Sequence, residues 1–190
     1  NMLNVKYIIT GKKIKNPNFL PVENVKGVFQ NLKVLPKAWI VGNVKSVETQ
    51  RESLMETLLN GFDPSNSAII YKYGGEPLIG VSSGLADVKS RVENRIEINC
   101  RSETGGLLVL SEIYYKPGWK AFVNGEETPI YQTNHVLRSV RVPKGESKIV
   151  FEYDDGPWHK TRILSRVSFL IVLIGLGLLF WRDKEKSNKV

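Results

Sequence analysis

The sequence is poor in the residue types that most often carry chemistry. Its 190 residues include one cysteine, Cys100, and two histidines, His135 and His159. A single cysteine excludes an internal disulfide, so packing alone must hold the fold together. Neither histidine lies at metal-ligand spacing from Cys, Asp or Glu, and the sequence has no nucleophile elbow or phosphate-binding glycine loop. We therefore predict no metal site, no cofactor and no catalytic residue in this chain.

An export signal is also missing from the start of the sequence. The chain begins at Asn1, and no basic, apolar and small-residue pattern follows that residue. Because a domain outside the cytoplasm needs such a signal, we expect preceding membrane helices of a longer parent protein to supply it.

The positive charge does not indicate nucleic-acid binding. The net charge is +8, but the basic residues are spread along the chain and concentrate only near its two ends. Basic residues beside an apolar helix are typical of contacts with anionic lipid headgroups. We predict a lipid bilayer as a partner and exclude nucleic acid. The terminal groups are Lys12, Lys13 and Lys15, and Arg182, Lys184, Lys186 and Lys189.

The longest apolar run lies near the end of the chain. It extends from Val167 to Trp181 without a charged residue, and starting it at Ile163 brings it close to the ~20 residues that cross a bilayer. Asp155 before Pro157 predicts the start of a helix. The run predicts a transmembrane helix over 156–181 and a basic tail over 182–190. The alternative is a helix buried in a protein core, which would need apolar partners on every face.

The ends of this helix carry residues that favour the membrane interface. Two tryptophans at the two ends would be separated by roughly 35 Å, which matches the distance between the two interfacial layers. The positive-inside bias favours a cytoplasmic tail only slightly, because basic residues also precede the span. The predicted interface residues are Trp158, Arg162, Arg166, Trp181 and Arg182.

Residues 1–87 predict an α+β portion of a domain outside the cytoplasm. Apolar runs at 3–10, 35–41 and 68–71 predict strands, the first of them buried. Thr49 and Glu52 form a capping-box pattern for one packed helix over about 50–60, which Asn60-Gly61 would end. Its expected core-facing stripe is Leu54, Met55, Leu58 and Leu59.

Residues 88–155 predict an antiparallel β-sandwich portion. Five strands are expected at 88–101, 107–115, 119–131 with a hairpin, 136–142 and 149–153. Asn124-Gly125 is a strong signal for the hairpin turn. The fold class predicted for the whole chain is therefore mainly β (α+β), an antiparallel sandwich-like domain with one packed helix and a single C-terminal transmembrane helix.

Four side chains in this portion are candidates for contact with a ligand. Strand alternation places Glu112 among apolar residues, where it could pair with Arg138 or meet a ligand. Flat aromatic rings suit the apolar faces of sugars, although aromatic residues on strands more often pack in a core. The predicted substrate-binding residues are Glu112, Tyr114, Trp119 and Tyr131.

Several segments resemble the YfhO-like family of bacterial membrane proteins. The most specific is the block from Leu108 to Ala121, which contains Pro117-Gly118-Trp119. Lys116 looks like an insertion in that block. The other segments are Leu3 to Ile9, Leu35 to Val41, Phe62-Asp63-Pro64, Val123-Asn124-Gly125, Pro129-Ile130-Tyr131, Val142 to Gly145 and Val150 to Tyr153.

The resemblance implies a function for the parent protein. Members of the family look like GT-C glycosyltransferases that add sugars to cell-wall polymers such as lipoteichoic acid from polyprenyl-phosphate-sugar donors. By resemblance, this chain is the C-terminal domain, outside the bacterial cell membrane, and the last helix of such an enzyme, with its tail in the cytoplasm. The catalytic acidic residue of GT-C enzymes lies among N-terminal helices, so no catalytic residue is assigned here.

Two functions remain open at this point. The first is an accessory or acceptor-positioning domain, with the preceding transmembrane helices and a cell-wall glycopolymer or lipid-linked sugar as partners. The alternative is a non-catalytic, membrane-anchored module that binds carbohydrate or acts as a scaffold in the cell envelope.

Overall fold

The computed structural model describes residues 1–59, 61–75, 78, 80 and 84–187, with the side chains of all of these except 157 and 179–187. It divides into two units, Asn1–Tyr153 and Asp154–Val190. The first unit contains one helix and all the strands of the described residues, so the mainly β prediction is confirmed.

The N-terminal half begins with a small antiparallel sheet. Its strands are β1 (Tyr7–Ile9), β2 (Phe19–Pro21) and β3 (Val28–Asn31), in the order β1-β3-β2. The prediction that the first strand is buried is wrong, because Ile9 is 82% exposed. An apolar run of three residues can form a strand without a partner layer that covers it, and the sequence does not distinguish these cases.

A parallel βαβ unit follows. Strand β4 (Ala38–Val41) precedes the unit, which consists of β5 (Asn43–Val47), α1 (Gln50–Leu58) and β6 (Ser67–Tyr71). Strands β5 and β6 pair in parallel and are joined by the helix. The capping box is confirmed: Thr49 Oγ1 accepts from Glu52 N–H at 3.1 Å, and Glu52 Oε2 accepts from Thr49 N–H at 3.3 Å. This parallel pair is an exception to the antiparallel arrangement predicted from the sequence.

The predicted orientation of helix α1 is wrong. Leu58 is 69% exposed and Met55 is 55% exposed, whereas Ser53 on the opposite face is fully buried. The small residues Ser53 and Thr57 let the helix lie close to the sheet, and Thr57 Oγ1 donates to Ser53 O at 2.7 Å. The helix ends at a C-cap on Leu59, and Asn60 of the predicted stop lies outside the described residues.

The remaining strands form two sheets. They are β7 (Gly84–Val92), β8 (Arg95–Ser102), β9 (Gly106–Ile113), β10 (Trp119–Val123), β11 (Glu126–Thr128), β12 (Tyr131–Thr133), β13 (Leu137–Val142) and β14 (Gly145–Tyr153). One sheet has the order β11-β10-β14-β8-β7 and the other β4-β9-β13-β12-β6-β5. The predicted strand over 88–101 is wrong, because the chain turns at Glu93 and Asn94 and forms two strands. The predicted Asn124-Gly125 hairpin is confirmed, with both residues at positive φ.

The two sheets pack face to face around one apolar core. Leu108, Leu110 and Val140 of the six-stranded sheet belong to the same buried cluster as Ile98 and Phe151 of the five-stranded sheet. The N-terminal portion contributes β4 to this core, so residues on both sides of position 88 build the sandwich.

The six-stranded sheet is curled so that its edges approach each other. Strands β4 and β5 lie at opposite edges, yet only Gly42 separates them in the chain. Two residue steps span at most about 7 Å, whereas the edges of a flat six-stranded sheet would be about 24 Å apart. The sheet must therefore bend, and its second face surrounds a separate cluster that includes Trp39, Ile70 and Val109.

The second unit contains helix α2 (Gly156–Ser187). Its segment Trp158–Leu178 is long and apolar enough to cross a membrane, and none of that span is buried in the described chain. Helix α2 begins at Gly156, as predicted from the sequence, but its first N–H is bound by a carboxylate other than that of the predicted Asp155. Asp154 Oδ1 accepts from Gly156 N–H at 3.0 Å, whereas the Asp155 carboxylate contacts the His159 ring at 3.1 Å.

Candidate functional site: a cavity at the rim of the sandwich

One end of the sandwich gathers the charged ends of several strands. Arg91 lies at the end of β7, Glu112 near the end of β9, Trp119 at the start of β10 and Arg138 at the start of β13. A cavity of about 300 Å³ opens between them, which we name the rim cavity. Its lining residues are Arg91, Val92, Glu93, Ile96, Glu112, Trp119 and Arg138.

Glu112 is held by cations from both sheets. One of its carboxylate oxygens, Oε1, lies 2.8 Å from Lys37 Nζ and 3.0 Å from Arg91 Nη2. Lys37 precedes β4 of the six-stranded sheet, and Arg91 belongs to the five-stranded sheet. The expected partner Arg138 is therefore replaced by two other cations, because the sequence does not show which strand ends meet across the rim.

Arg138 is a buried cation that is only partly satisfied. It is 5% exposed, and its Nη2 donates to Ile113 O at 3.0 Å. Its Nε and Nη1 are buried without a hydrogen-bond partner among the described residues. Burial lowers the pKa of the Arg138 guanidinium from its ordinary value, and the negative charge of Glu112 opposes part of this effect.

Two aromatic rings lie against the Arg138 guanidinium. The Arg138 guanidinium carbon lies 4.4 Å from the centre of the Trp119 ring and 5.8 Å from that of Phe151. The Trp119 ring also meets the Tyr153 ring edge-to-face, with 5.6 Å between the ring centres. Cation–π attraction compensates part of the cost of burying the charge, but it does not supply hydrogen-bond acceptors.

The four predicted ligand contacts do not form one site. Glu112 and Trp119 line the rim cavity together. Tyr131 lies at the second cluster, inside the curled sheet, where its ring packs edge-to-face on Tyr73 at 5.1 Å. Tyr114 follows β9, and its N–H donates to Val136 O at 2.7 Å. Burial raises the pKa of both tyrosine hydroxyls.

The contribution of Arg91 and Lys37 was missed in the sequence. Both belong to strands whose partners are distant in the chain, so no local pattern relates them to Glu112. Arg138 carried a detectable signal, because strand alternation places it on the same face as the apolar Val140 and Val142. A charged side chain on the core face of a strand is costly, and such a position favours a functional or paired group.

The other cavities in the described chain have no lining side chain with a buried polar atom that lacks a hydrogen-bond partner. Three of them are larger, with volumes of about 470, 460 and 350 Å³. In contrast, Arg138 of the rim cavity has two such atoms, Nε and Nη1, without a partner among the described residues. Within the described ranges, no three His, Cys, Asp or Glu side chains lie together as metal ligands.

The predicted membrane-interface residues belong to the second unit. Trp158 is 65% exposed, and Arg166 is also exposed. An Arg162 guanidinium nitrogen, Nη2, lies 2.9 Å from His159 Nδ1, on the helix face that also carries Asp155. The side chains of Trp181 and Arg182 lie outside the described residues.

A comparison with known protein families finds a match in the part of the chain that contains the rim cavity. Residues 82–155 match the family model described as bacterial membrane protein YfhO. Over this stretch the chain is similar to that family. The matched stretch contains every lining residue of the rim cavity, and it ends directly before helix α2. The family match and the apolar helix together support a location in a membrane. Neither the curated proteins nor the solved structures contain a match to the sequence.

Proposed function

We propose that this chain is the accessory C-terminal part of a multi-pass membrane glycosyltransferase. In this proposal the sandwich lies outside the cytoplasm, the apolar helix is the last membrane span, and the basic tail is cytoplasmic. The sandwich positions an acceptor, a cell-wall polymer such as lipoteichoic acid, while preceding helices catalyse sugar transfer from a polyprenyl-phosphate-sugar. The resemblance of Leu108 to Ala121 to the GT-C-like YfhO family supports this assignment.

One observation carries the acceptor-positioning role: the rim cavity lies inside the stretch that matches the YfhO family and contains, beside an aromatic ring, donors of Arg138 that lack a partner in the described part of the chain. Buried polar groups are normally paired, so the Nε and Nη1 atoms of Arg138, which lack a partner among the described residues, favour a binding site. Aromatic rings with a few convergent polar groups are typical of carbohydrate and small-molecule sites.

A scaffold without a carbohydrate site is the second candidate. Arg138 already covers a face of the Trp119 ring, and the ring's remaining contacts are with Tyr153 and the core. Tyr131 is likewise engaged with Tyr73. Under this candidate, these aromatic residues hold the sandwich together, and the domain braces the membrane part of the parent protein.

Binding measurements separate the two candidates. We expect the full chain in lipid nanodiscs to bind purified cell-wall glycopolymer fragments, and we expect Trp119→Ala to weaken this binding about tenfold or more, a loss of roughly 1.4 kcal/mol. Tyr7→Ala is the matched control, because Tyr7 is an aromatic residue of the separate three-stranded sheet and is 49% exposed. Circular dichroism checks that each variant is folded.

Two results would contradict the acceptor-positioning proposal. Absence of glycopolymer binding by the folded wild-type chain would favour the scaffold. Sugar transfer catalysed by this chain alone, supplied with a polyprenyl-phosphate-sugar, would show that the domain is not an accessory part.

A further inference from the structure

The rim cavity contains more positive charge than its carboxylates neutralise. Lys37, Arg91 and Arg138 supply three cations around it, while Glu112 and Glu93 supply two carboxylates. Glu112 places one oxygen between Lys37 and Arg91, so its carboxylate forms ion pairs with these two cations rather than with Arg138. Arg138 is therefore the least compensated cation of the group.

The unpaired atoms of Arg138 are donors. The guanidinium has only N–H groups to offer, and within the described part of the chain Nε and Nη1 find no acceptor. Leaving a buried charged donor unpaired costs more than leaving a neutral one unpaired. Ligand oxygens with negative charge are the acceptors that compensate a guanidinium best.

We propose that the rim cavity binds a phosphate-type oxyanion through the Nε–H and Nη1–H groups of Arg138, with the exposed guanidinium of Arg91 as a second contact. A phosphate group presents several acceptor oxygens that point in different directions, which suits donors approaching from two sheets. A volume of about 300 Å³ accommodates such a group with part of the molecule that carries it.

The phosphate can come from two sources. Because the sandwich is tethered to an apolar helix, a lipid headgroup and a soluble or polymer-borne phosphate present the same chemistry to the cavity. The identity of the natural ligand rests on the proposed function above. The anion site itself is independent of that function, because it depends only on Arg138 and its surroundings.

Nuclear magnetic resonance of the arginine side chains tests this site. The full chain, in a maltoside detergent that contains no phosphate, is titrated with inorganic phosphate at constant ionic strength. We expect the Nε–H resonance of Arg138 to shift and saturate, with a dissociation constant in the millimolar range, on the order of 1–10 mM. A shift that stays linear with concentration, or an unaffected Arg138 resonance, would overturn the proposal.

Two variants and one control sharpen the result. Arg138→Lys keeps the charge but removes the Nε donor, so saturable binding, followed through the Arg91 resonance, should weaken about tenfold. Glu112→Gln removes a competing negative charge, so phosphate should bind several-fold more tightly. Arg101→Lys is the matched control, because Arg101 is exposed and lies outside the rim cavity, and it should bind phosphate as the wild type does. Equal weakening by Arg101→Lys and Arg138→Lys would contradict the site.

Nanodiscs distinguish the two sources. If lipid headgroups occupy the cavity, nanodiscs of phosphatidylglycerol should already shift the Arg138 resonance, and added phosphate should have little effect. In nanodiscs of a glycolipid without phosphate, added phosphate should restore the saturable shift. Phosphate binding without glycopolymer binding would refute only the acceptor role, and glycopolymer binding without phosphate binding would refute only the anion site.

Discussion

At the scale of single residues, the rim of the sandwich depends on positions that accept few residue types. Gly118, directly before Trp119, has φ +78°, a backbone conformation that residues with a Cβ adopt at a cost. A Cβ built there would lie 2.5 Å from the Tyr153 ring. Gly118 therefore permits both the turn into β10 and the contact between Tyr153 and Trp119 beside the rim cavity.

Replacing Gly118 tests whether this position needs both a residue that tolerates positive φ and the absence of a Cβ beside the Tyr153 ring. Gly118→Ala should destabilise the chain by roughly 2–5 kcal/mol, because about 1–2 kcal/mol of backbone cost adds to a steric cost of about 1–3 kcal/mol. The measurement is denaturant unfolding of the full chain in detergent, followed by tryptophan fluorescence.

Gly125→Ala is the control for Gly118→Ala. Gly125 also has a positive φ, of 89°, but a Cβ there would meet no atom within 4 Å. Gly125→Ala should therefore lower the free energy of unfolding only by the cost of the positive φ, about 1–2 kcal/mol. Equal losses in the two variants would show that the Tyr153 ring is not in tight contact with position 118.

At the scale of elements, helix α1 shows why an apolar stripe alone does not determine orientation. The βαβ crossover places α1 against β5 and β6, and the side facing them carries the buried Ser53 and the ion pair of Glu56 with Lys45 at 2.7 Å. The stripe with Leu54 and Leu58 faces away. The start of the helix, in contrast, is determined locally, because the capping box of Thr49 and Glu52 satisfies backbone N–H groups that any helix start leaves unpaired.

The cap should therefore be worth a measurable amount. Thr49→Ala should cost about 1 kcal/mol and should increase hydrogen exchange of the first-turn amides of α1, above all that of Glu52 N–H. Glu52→Gln retains an oxygen that can accept from Thr49 N–H, so it should change stability by no more than about 0.5 kcal/mol. If Thr49→Ala leaves the exchange of the Glu52 amide unchanged, the hydroxyl does not cap this helix.

At the scale of the whole molecule, the sandwich draws strands from the entire first unit. Strand β4 pairs with β9, about seventy residues later, and Arg91 of β7 reaches Glu112 of β9 across the two sheets. The YfhO match begins at residue 82, yet the core of the sandwich includes Ala38 and Ile40 of β4. Truncation at the boundary of the family match would therefore expose apolar surface of the core.

The proposed sidedness can be tested on this whole molecule by cysteine labelling. The only natural cysteine, Cys100, is 5% exposed, and burial raises the pKa of its thiol, so it should react little. Lys13→Cys, in an exposed loop, should react with a membrane-impermeant maleimide on intact bacteria. Ser187→Cys, near the end of α2, should react only after permeabilisation. The reverse pattern would place the sandwich in the cytoplasm, and the chain without an added cysteine measures the background.

The sequence by itself determined the features that depend on neighbouring residues. The Asn124-Gly125 turn, the Thr49 cap, the buried β9 and the long apolar helix follow from local conformational preference and from the number of consecutive apolar residues. The resemblance to the YfhO family was likewise readable from contiguous segments such as Leu108 to Ala121.

Only the tertiary structure decided the features that depend on distant residues. Tyr131 packs against the cluster on the second face of the six-stranded sheet, whereas Trp119 packs against the sandwich core beside the rim cavity, so these two candidates lie in different places. Convergence of strand ends gave Glu112 the partners Lys37 and Arg91, and it left two donors of Arg138 without an acceptor among the residues that the structure describes. Periodicity tells which face of a strand a residue occupies, but the partner on that face is chosen by sheet pairing over long sequence separations.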